Sequence, residues 1–197
     1  MVPAARKPSL PPQFEAYLKQ VALHGISSED GGLSEMVAYQ FGWDDPQRQA
    51  GKRLRPRLCI SVAQALGQPA ESAFLPAALL EIIHNYTLIH DDVEDNGEFR
   101  HGRPALWKAF GLAQAVNTGD YLLSHALVCN QVPPIPYAAV WDEVSREIIL
   151  DAAKAVVVGQ FRDISFTTSP TITQDQYLGM IALKTGALFS AAFTSGA

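Results

Sequence analysis

A chain of 197 residues, 48% hydrophobic and 18% charged, has the size and composition of one globular domain with a substantial core and not of a disordered tract. Its 15 Lys and Arg against 20 Asp and Glu give a net charge of −5, which argues against non-specific nucleic-acid binding, a function that needs broad positive surface.

In chain order, residues 1–12 carry four prolines and read as a flexible arm ahead of one domain over 13–197. Helices are expected over about 13–25, 31–42, 52–66 and 70–95, the third closed by Gly67 with Pro69 shortly beyond. Gly97, Gly102 and Pro104 mark 96–104 as a loop. Further helices are expected over 112–130, 137–166, 173–183 and 184–196. Pro133, Pro134 and Pro136 give the clearest break, and Thr173 is a candidate N-cap. Strand patterning is nearly absent, so the domain is expected to be all-α, a large bundle whose helices are apolar on most faces. Cys59 and Cys129 lie in apolar stretches and are too few for a disulfide framework. The N-terminus lacks the apolar run of a signal peptide, and no uninterrupted apolar stretch approaches the ~20 residues that span a bilayer. A cytoplasmic protein without a transmembrane segment is the expectation.

Asp91, Asp92 and Asp95 cluster at the end of the long fourth helix. Asp91 and Asp95 share a face one turn apart, and Asp92 lies about 100° round the axis. Charges this close repel by about 2–4 kcal/mol per pair at protein-like dielectric, and a helix C-terminus disfavours anions further. A divalent cation removes the objection. Oxygen-only ligands favour a hard ion such as Mg²⁺, which shares its shell with substrate phosphates. Glu94 reads as a solvated neighbour. The apolar run before the acids places them at the mouth of an interior cavity.

Gly51-Lys52-Arg53-Leu54-Arg55-Pro56-Arg57 sets four cations in six positions of an acidic chain. Lys52 and Arg55 share a face if the segment is helical, and Arg forks with a compact Lys charge suit diphosphate. His84, two turns before Asp91 on nearly the same face, is either a phosphate donor or a core histidine. Arg100 and Arg103 follow the acids. Gln160 and Asp163 share a helical face, and Lys184-Thr185 is an odd pair for an apolar helix.

Taken together, Gly51-Lys52-Arg53-Leu54-Arg55-Pro56, His90-Asp91-Asp92-Val93-Glu94-Asp95, Arg100-His101-Gly102-Arg103-Pro104, Gly159-Gln160 with Asp163, and Lys184-Thr185 resemble the trans-isoprenyl diphosphate synthases. The resemblance runs from about residue 50 to 190. It implies an isoprenoid synthase-type helical bundle, usually a homodimer, that condenses isopentenyl diphosphate onto an allylic prenyl diphosphate. It implies that Asp91, Asp92 and Asp95 bind Mg²⁺ and the allylic diphosphate as catalytic metal ligands. Lys52, Arg55 and His84 match the isopentenyl diphosphate site, and Arg100 matches an arginine that contacts the allylic diphosphate. Gln160, Lys184 and Thr185 match the allylic side, Lys184 counting among the catalytic residues. The implied chemistry is metal-assisted ionisation of the allylic C–O bond, attack by the isopentenyl double bond and loss of a proton to the released diphosphate. Tyr86 and Thr87, the fifth and fourth residues before Asp91, are the expected floor that limits product length. With the uninterrupted acidic motif they favour geranylgeranyl over farnesyl diphosphate.

Two positions depart from the pattern. His101 stands where a second arginine is usual, with Arg103 a possible substitute. The C-terminal part of the family, with its second aspartate-rich motif, is not matched: Asp163 and Asp175 form no such cluster. The 197-residue chain alone is therefore expected to have little or no synthase activity. A C-terminally truncated, inactive form of such a bundle is the first expectation, and a regulatory partner subunit of a synthase is the alternative. A terpene cyclase is disfavoured by the Lys52, Arg55 and His84 set, and a His90-Asp91 phosphohydrolase ranks below both.

Overall fold

The computed structural model describes residues 10–45, 47, 51–128 and 143–197. Residues 1–9 of the expected arm, Cys129 and the break at 133–136 lie outside the described residues. Leu10 packs against the core, and Pro12 opens the first helix.

Helix α1 (Pro12–Leu23) starts with proline at a position where the missing N–H is no loss. It buries Phe14, Tyr17, Leu18, Val21 and Ala22, one stripe at helical spacing. Helix α2 (Gly31–Phe41) ends on Gly42, whose φ of 78° makes the left-handed turn a Cβ would resist. Helix α3 begins at Leu54, two residues later than expected, and runs to Ala65. A 3-10 turn over Ala70–Ala73 leads into α4 (Phe74–Glu94), the axis of the bundle. Leu79, Leu80, Ile82 and Ile83 are fully buried there, and α1, α3, α6 (Leu112–Val128), α7 (Glu143–Thr167) and α9 (Ala187–Thr194) surround it. Phe14 meets Phe74 edge-on, with ring centroids 5.4 Å apart.

The segment expected as loop contains an antiparallel pair, β1 (Phe99–Arg100) with β2 (Arg103–Pro104). A short helix, α5 (Leu106–Phe110), follows it and was not anticipated. Helix α8 (Gln174–Ile181) carries the expected N-cap. The Thr173 hydroxyl accepts from the Gln176 amide while the Gln176 side chain accepts from the Thr173 amide. The expected break at 183/184 is absent. A π-turn over Ala182–Gly186 joins α8 to α9 without interruption. The all-α expectation is met.

Two helical stretches, Ala70–Glu94 and Gln174–Thr194, are long and apolar enough by length and composition to cross a bilayer, which sequence inspection passed over. The first has most of its apolar window packed inside the bundle, as a core helix does.

The π-turn lies against α7 at Gly159. A Cβ there would fall 2.3 Å from the Lys184 amide nitrogen and 2.7 Å from its Cα, a backbone contact that cannot give. Gly159→Ala should therefore lose about 1–3 kcal/mol in urea denaturation as α7 and the π-turn separate. Gly186→Ala, whose new methyl would meet nothing closer than 3.9 Å, serves as the neutral control. Equal midpoints for the two variants would refute the close-packing account.

Candidate functional site

The acidic end of α4 is closed by its backbone. Asn96 takes φ 52°, the Gly97 amide donates to the Asp92 carbonyl (2.8 Å), and the Asn96 amide donates to Val93 (3.3 Å). These are the two bonds of a Schellman stop with asparagine in the left-handed position. The strand pair then returns the chain over the acids through His101 (φ 53°) and Gly102 (φ 80°). This is the two-residue turn with both φ values positive that matches strand twist. The turn brings Arg100 back to Asp92. Its Nε and Nη2 donate to the two carboxylate oxygens at 2.6 and 2.8 Å, a bidentate fork on a buried carboxylate.

Among the described residues, no three His, Cys, Asp or Glu side chains converge closely enough to hold a metal ion. Asp91, Asp92 and Asp95 thus do not form a preassembled cage. Asp92 is taken by Arg100, Asp95 caps the helix at an exposed position, and Asp91 faces the other side of α4.

That helix separates two cavities. The larger, about 560 Å³, is lined by Lys52, Arg53, Arg55, His84, Arg100, His101 and Arg103, with Glu81, Asn85 and Leu88 of α4 among its other walls. Lys52 and Arg55 do reach one cavity but do not share a helix face. Lys52 precedes α3, and Arg53 between them is left-handed (φ 48°). Arg55 Nε is buried without a hydrogen-bond partner, and its guanidinium sits 4.7 Å over the Phe189 ring. Burial lowers the Arg55 pKa against the pull of Glu81. His84 is pushed down to about 3, first by burial and then by Arg55, Arg100, Arg53 and His101, so it is neutral at physiological pH. Arg103, suggested above as a phosphate ligand, instead forks onto Asp44 at 3.0 and 2.8 Å and stacks on Tyr39 at 3.4 Å.

The smaller cavity, about 180 Å³, is lined by Tyr86, Thr87, His90, Asp91 and Glu94 of α4 and by Val156, Val157, Gln160, Phe161 and Ile164 of α7. His84 and Asp91, though two turns apart on α4, open on different cavities. Glu94 is not merely a solvated neighbour, since Gln160 Nε2 donates to it at 2.8 Å while Gln160 Oε1 stays buried and unpaired. Asp91 is pushed up to about 6. Burial is the main cause, with Asp95 and Glu94 adding repulsion, and Lys184 and Arg100 offset only part of it. Lys184 donates to Asp163 at 2.6 Å from the π-turn, and Thr185 beside it is exposed; neither lines a cavity.

Two side chains escaped sequence reasoning. Arg53 is a buried ion-pair hub and not a surface cation. His90 stacks edge-on against Tyr86 at 4.7 Å and lies 3.5 Å from Asp120, in a seat that exists because Gly119 has no Cβ. A left-handed arginine leaves no trace in composition, but a glycine inside the apolar α6 was a legible sign of close approach.

The geometry has clear counterparts among known proteins. The family model described as polyprenyl synthetase matches residues 43–197. The geranylgeranyl diphosphate synthase of Methanosarcina mazei is 35% identical over 148 residues, 75% of this chain and 45% of the relative. A (2E,6E)-farnesyl diphosphate synthase of Mycobacterium tuberculosis is 33% identical over 175 residues, 85% of this chain and 47% of the relative. Among solved structures, the geranyltransferase of Legionella pneumophila superposes with a TM-score of 0.80 at 28% identity, covering 93% of this chain and 64% of that one. A geranylgeranyl pyrophosphate synthase crystal structure gives 0.79 at 29% identity, covering 93% and 52%. The chain belongs to the polyprenyl synthetase family. It spans about half the length of the curated relatives it matches.

A carboxyl whose folded pKa is raised binds its proton more tightly folded than unfolded. Asp91 therefore contributes most below its ordinary value of 3.8, and that contribution is lost as pH rises through about 6. In chelator, Asp91→Asn should melt above the parent at pH 8 and level with it at pH 4. Calorimetric melting at both pH values checks this, and a gap that does not change with pH would contradict it.

Proposed function

We propose that this chain carries the substrate cavities of a short-chain prenyl diphosphate synthase that joins isopentenyl diphosphate to an allylic prenyl diphosphate. The observation that carries the reading is Arg55, a half-buried guanidinium with an unpaired Nε on a cation-rich cavity large enough for a small diphosphate. Lys52, Arg55 and neutral His84 would hold the isopentenyl diphosphate there. The allylic chain would lie on the other side of α4, along Val156, Val157, Phe161 and Ile164, with its diphosphate at the acidic end of the helix, where Arg100 and Lys184 both act on Asp91. His101 and Thr185 are proposed beside them on the family resemblance.

The donor set suits Mg²⁺, which is commonly held by one or two carboxylates with phosphate oxygens and water completing its shell. Asp91 and Asp95, one turn apart at the end of α4 and neither taken by an arginine fork, are the residues that would hold it. Asp92 joins them only if Arg100 exchanges it for a phosphate oxygen. Held by Asp91 and Asp95, such an ion would supply positive charge to the leaving diphosphate. Gln160 faces the cavity with a free carbonyl oxygen. The apolar walls limit water at the reacting carbon, and Tyr86 with Thr87 sets the depth available to the growing chain. Geranylgeranyl diphosphate is the proposed product, and homodimeric assembly and a cytoplasmic location are proposed with it on the family resemblance.

Isothermal titration with inorganic diphosphate in Mg²⁺ tests the binding claim. The parent chain should bind, and Lys52→Ala and Arg55→Ala should each weaken binding by about tenfold or more, the scale of a lost charged hydrogen bond. No binding by the parent, or unchanged affinity in both variants, would refute it. The floor is tested by titrating allylic diphosphates of increasing chain length into Tyr86→Ala in Mg²⁺. The variant should accept longer chains than the parent, and an unchanged length cut-off would sink the idea.

A further inference from the structure

The four cations of Lys52–Arg57 look equivalent in sequence, but one of those on the larger cavity, Arg53, has its guanidinium committed to protein partners. Arg53 is buried, with its side chain only 5% exposed. Its Nη2 donates to Glu15 Oε1 at 2.7 Å and to the Phe41 carbonyl at 3.2 Å, its Nε donates to Glu15 Oε2 at 3.3 Å, and its Nη1 donates to Glu81 Oε1 at 3.0 Å. Four of its five N–H groups are thereby committed to protein. Glu15 on α1 is held in turn by the Trp43 indole N–H at 2.7 Å. The guanidinium thus ties the start of α3 to α1, to the end of α2 and to α4.

Its backbone completes the argument. Arg53 stands at φ 48°, ψ 45°, a conformation that non-glycine residues adopt rarely and that persists only where the surroundings hold it. That single left-handed residue reverses the chain between Lys52, which precedes the helix, and Arg55 in its first turn. Both side chains consequently reach one cavity despite having no common helix face.

We propose that Arg53 is a positioning residue. Clamped by Glu15 and Glu81, it fixes the left-handed turn that aims Lys52 and Arg55 at the same diphosphate, and it acts through them because most of its own N–H groups are spent on protein. The proposal rests on the diphosphate reading of the larger cavity.

Glu15→Gln tests it with opposed signs. Glu15 does not line the cavity, so removing its negative charge should tighten anion binding if only electrostatics acts. If the clamp positions the loop, affinity for inorganic diphosphate in Mg²⁺ should instead fall by roughly tenfold or more, the scale of losses from small misplacement. Hydrogen exchange at the Lys52–Arg55 amides should rise in the same variant, with the amides of central α4 unchanged. Arg53→Lys, which keeps the charge but loses the planar fork, is the second variant and should show both effects without a change in net charge. Unchanged or tighter binding together with unchanged exchange in both variants would overturn the proposal. If the parent chain fails to bind diphosphate, the cavity reading falls, while exchange at 52–55 still decides whether Glu15 and Arg53 hold the turn.

Discussion

Burial of α4 along most of its length is the constraint on which the remaining structure depends. From Phe74 to Ile89 this helix presents apolar side chains in every direction, and its central Leu79, Leu80, Ile82 and Ile83 are wholly inside. Burying a side chain of this size is worth about 1.5–3 kcal/mol, so several helices must close round it before the bundle is stable. Every polar group carried inward then needs a partner. Glu81 finds Arg53, and Asn85 donates to the Glu81 carbonyl and accepts from Gln40. The helix can become acidic only where it emerges, which is where the aspartates stand.

A buried helix with a charged end also explains how an acidic protein holds a cation-rich cavity. Most of the cations near the site are matched by a carboxylate of the same chain: Arg100 by Asp92, Arg103 by Asp44, Lys184 by Asp163, and Arg53 by Glu15 and Glu81. Burial works to raise the Glu15 carboxyl, but bonding to Arg53 and Trp43 brings it below its ordinary value. Glu81, enclosed completely, is pushed up by burial despite Arg53. Arg53 is therefore held by both acids, Glu15 nearer the surface and Glu81 fully enclosed.

The long helices, the Gly67 stop and the Thr173 cap were legible in sequence, because periodicity and capping are local signals. Of the three aspartates expected at a cavity mouth, only Asp91 lines a cavity. The failures were of another kind. The start of α3 slipped because nothing local shows that Arg53 is left-handed, a state imposed by Glu15 and Glu81 from elsewhere in the chain. The 96–104 loop carried its own turn residues, but the pairing of Arg100 with Asp92 needed the Schellman geometry of Asn96 before it could be seen. The joint at 182–186 read as a break because a Lys-Thr pair interrupts an apolar pattern. The helix instead continues through a π-turn, whose backbone packs directly on Gly159 of α7. Each miss follows from a tertiary contact overriding a local preference.

Unpaired polar atoms do not by themselves mark a site, since Arg57 Nε and Ser195 Oγ are buried without partners and line neither cavity. The informative cases combine an unmet hydrogen bond with a place on a cavity wall. Arg55 Nε meets both conditions on the larger cavity, and His90 Nε2 and Gln160 Oε1 meet them on the smaller. Over Phe189, an aliphatic side chain in place of Arg55 would pack as well without a desolvated charge, so stability gives no reason for the guanidinium. The same holds for Asp91, whose carboxylate is disfavoured where it stands. Charges of opposite sign, each poorly compensated and each facing a cavity across one buried helix, are what a protein needs to hold an anionic substrate on one side and a cation-bridged anion on the other.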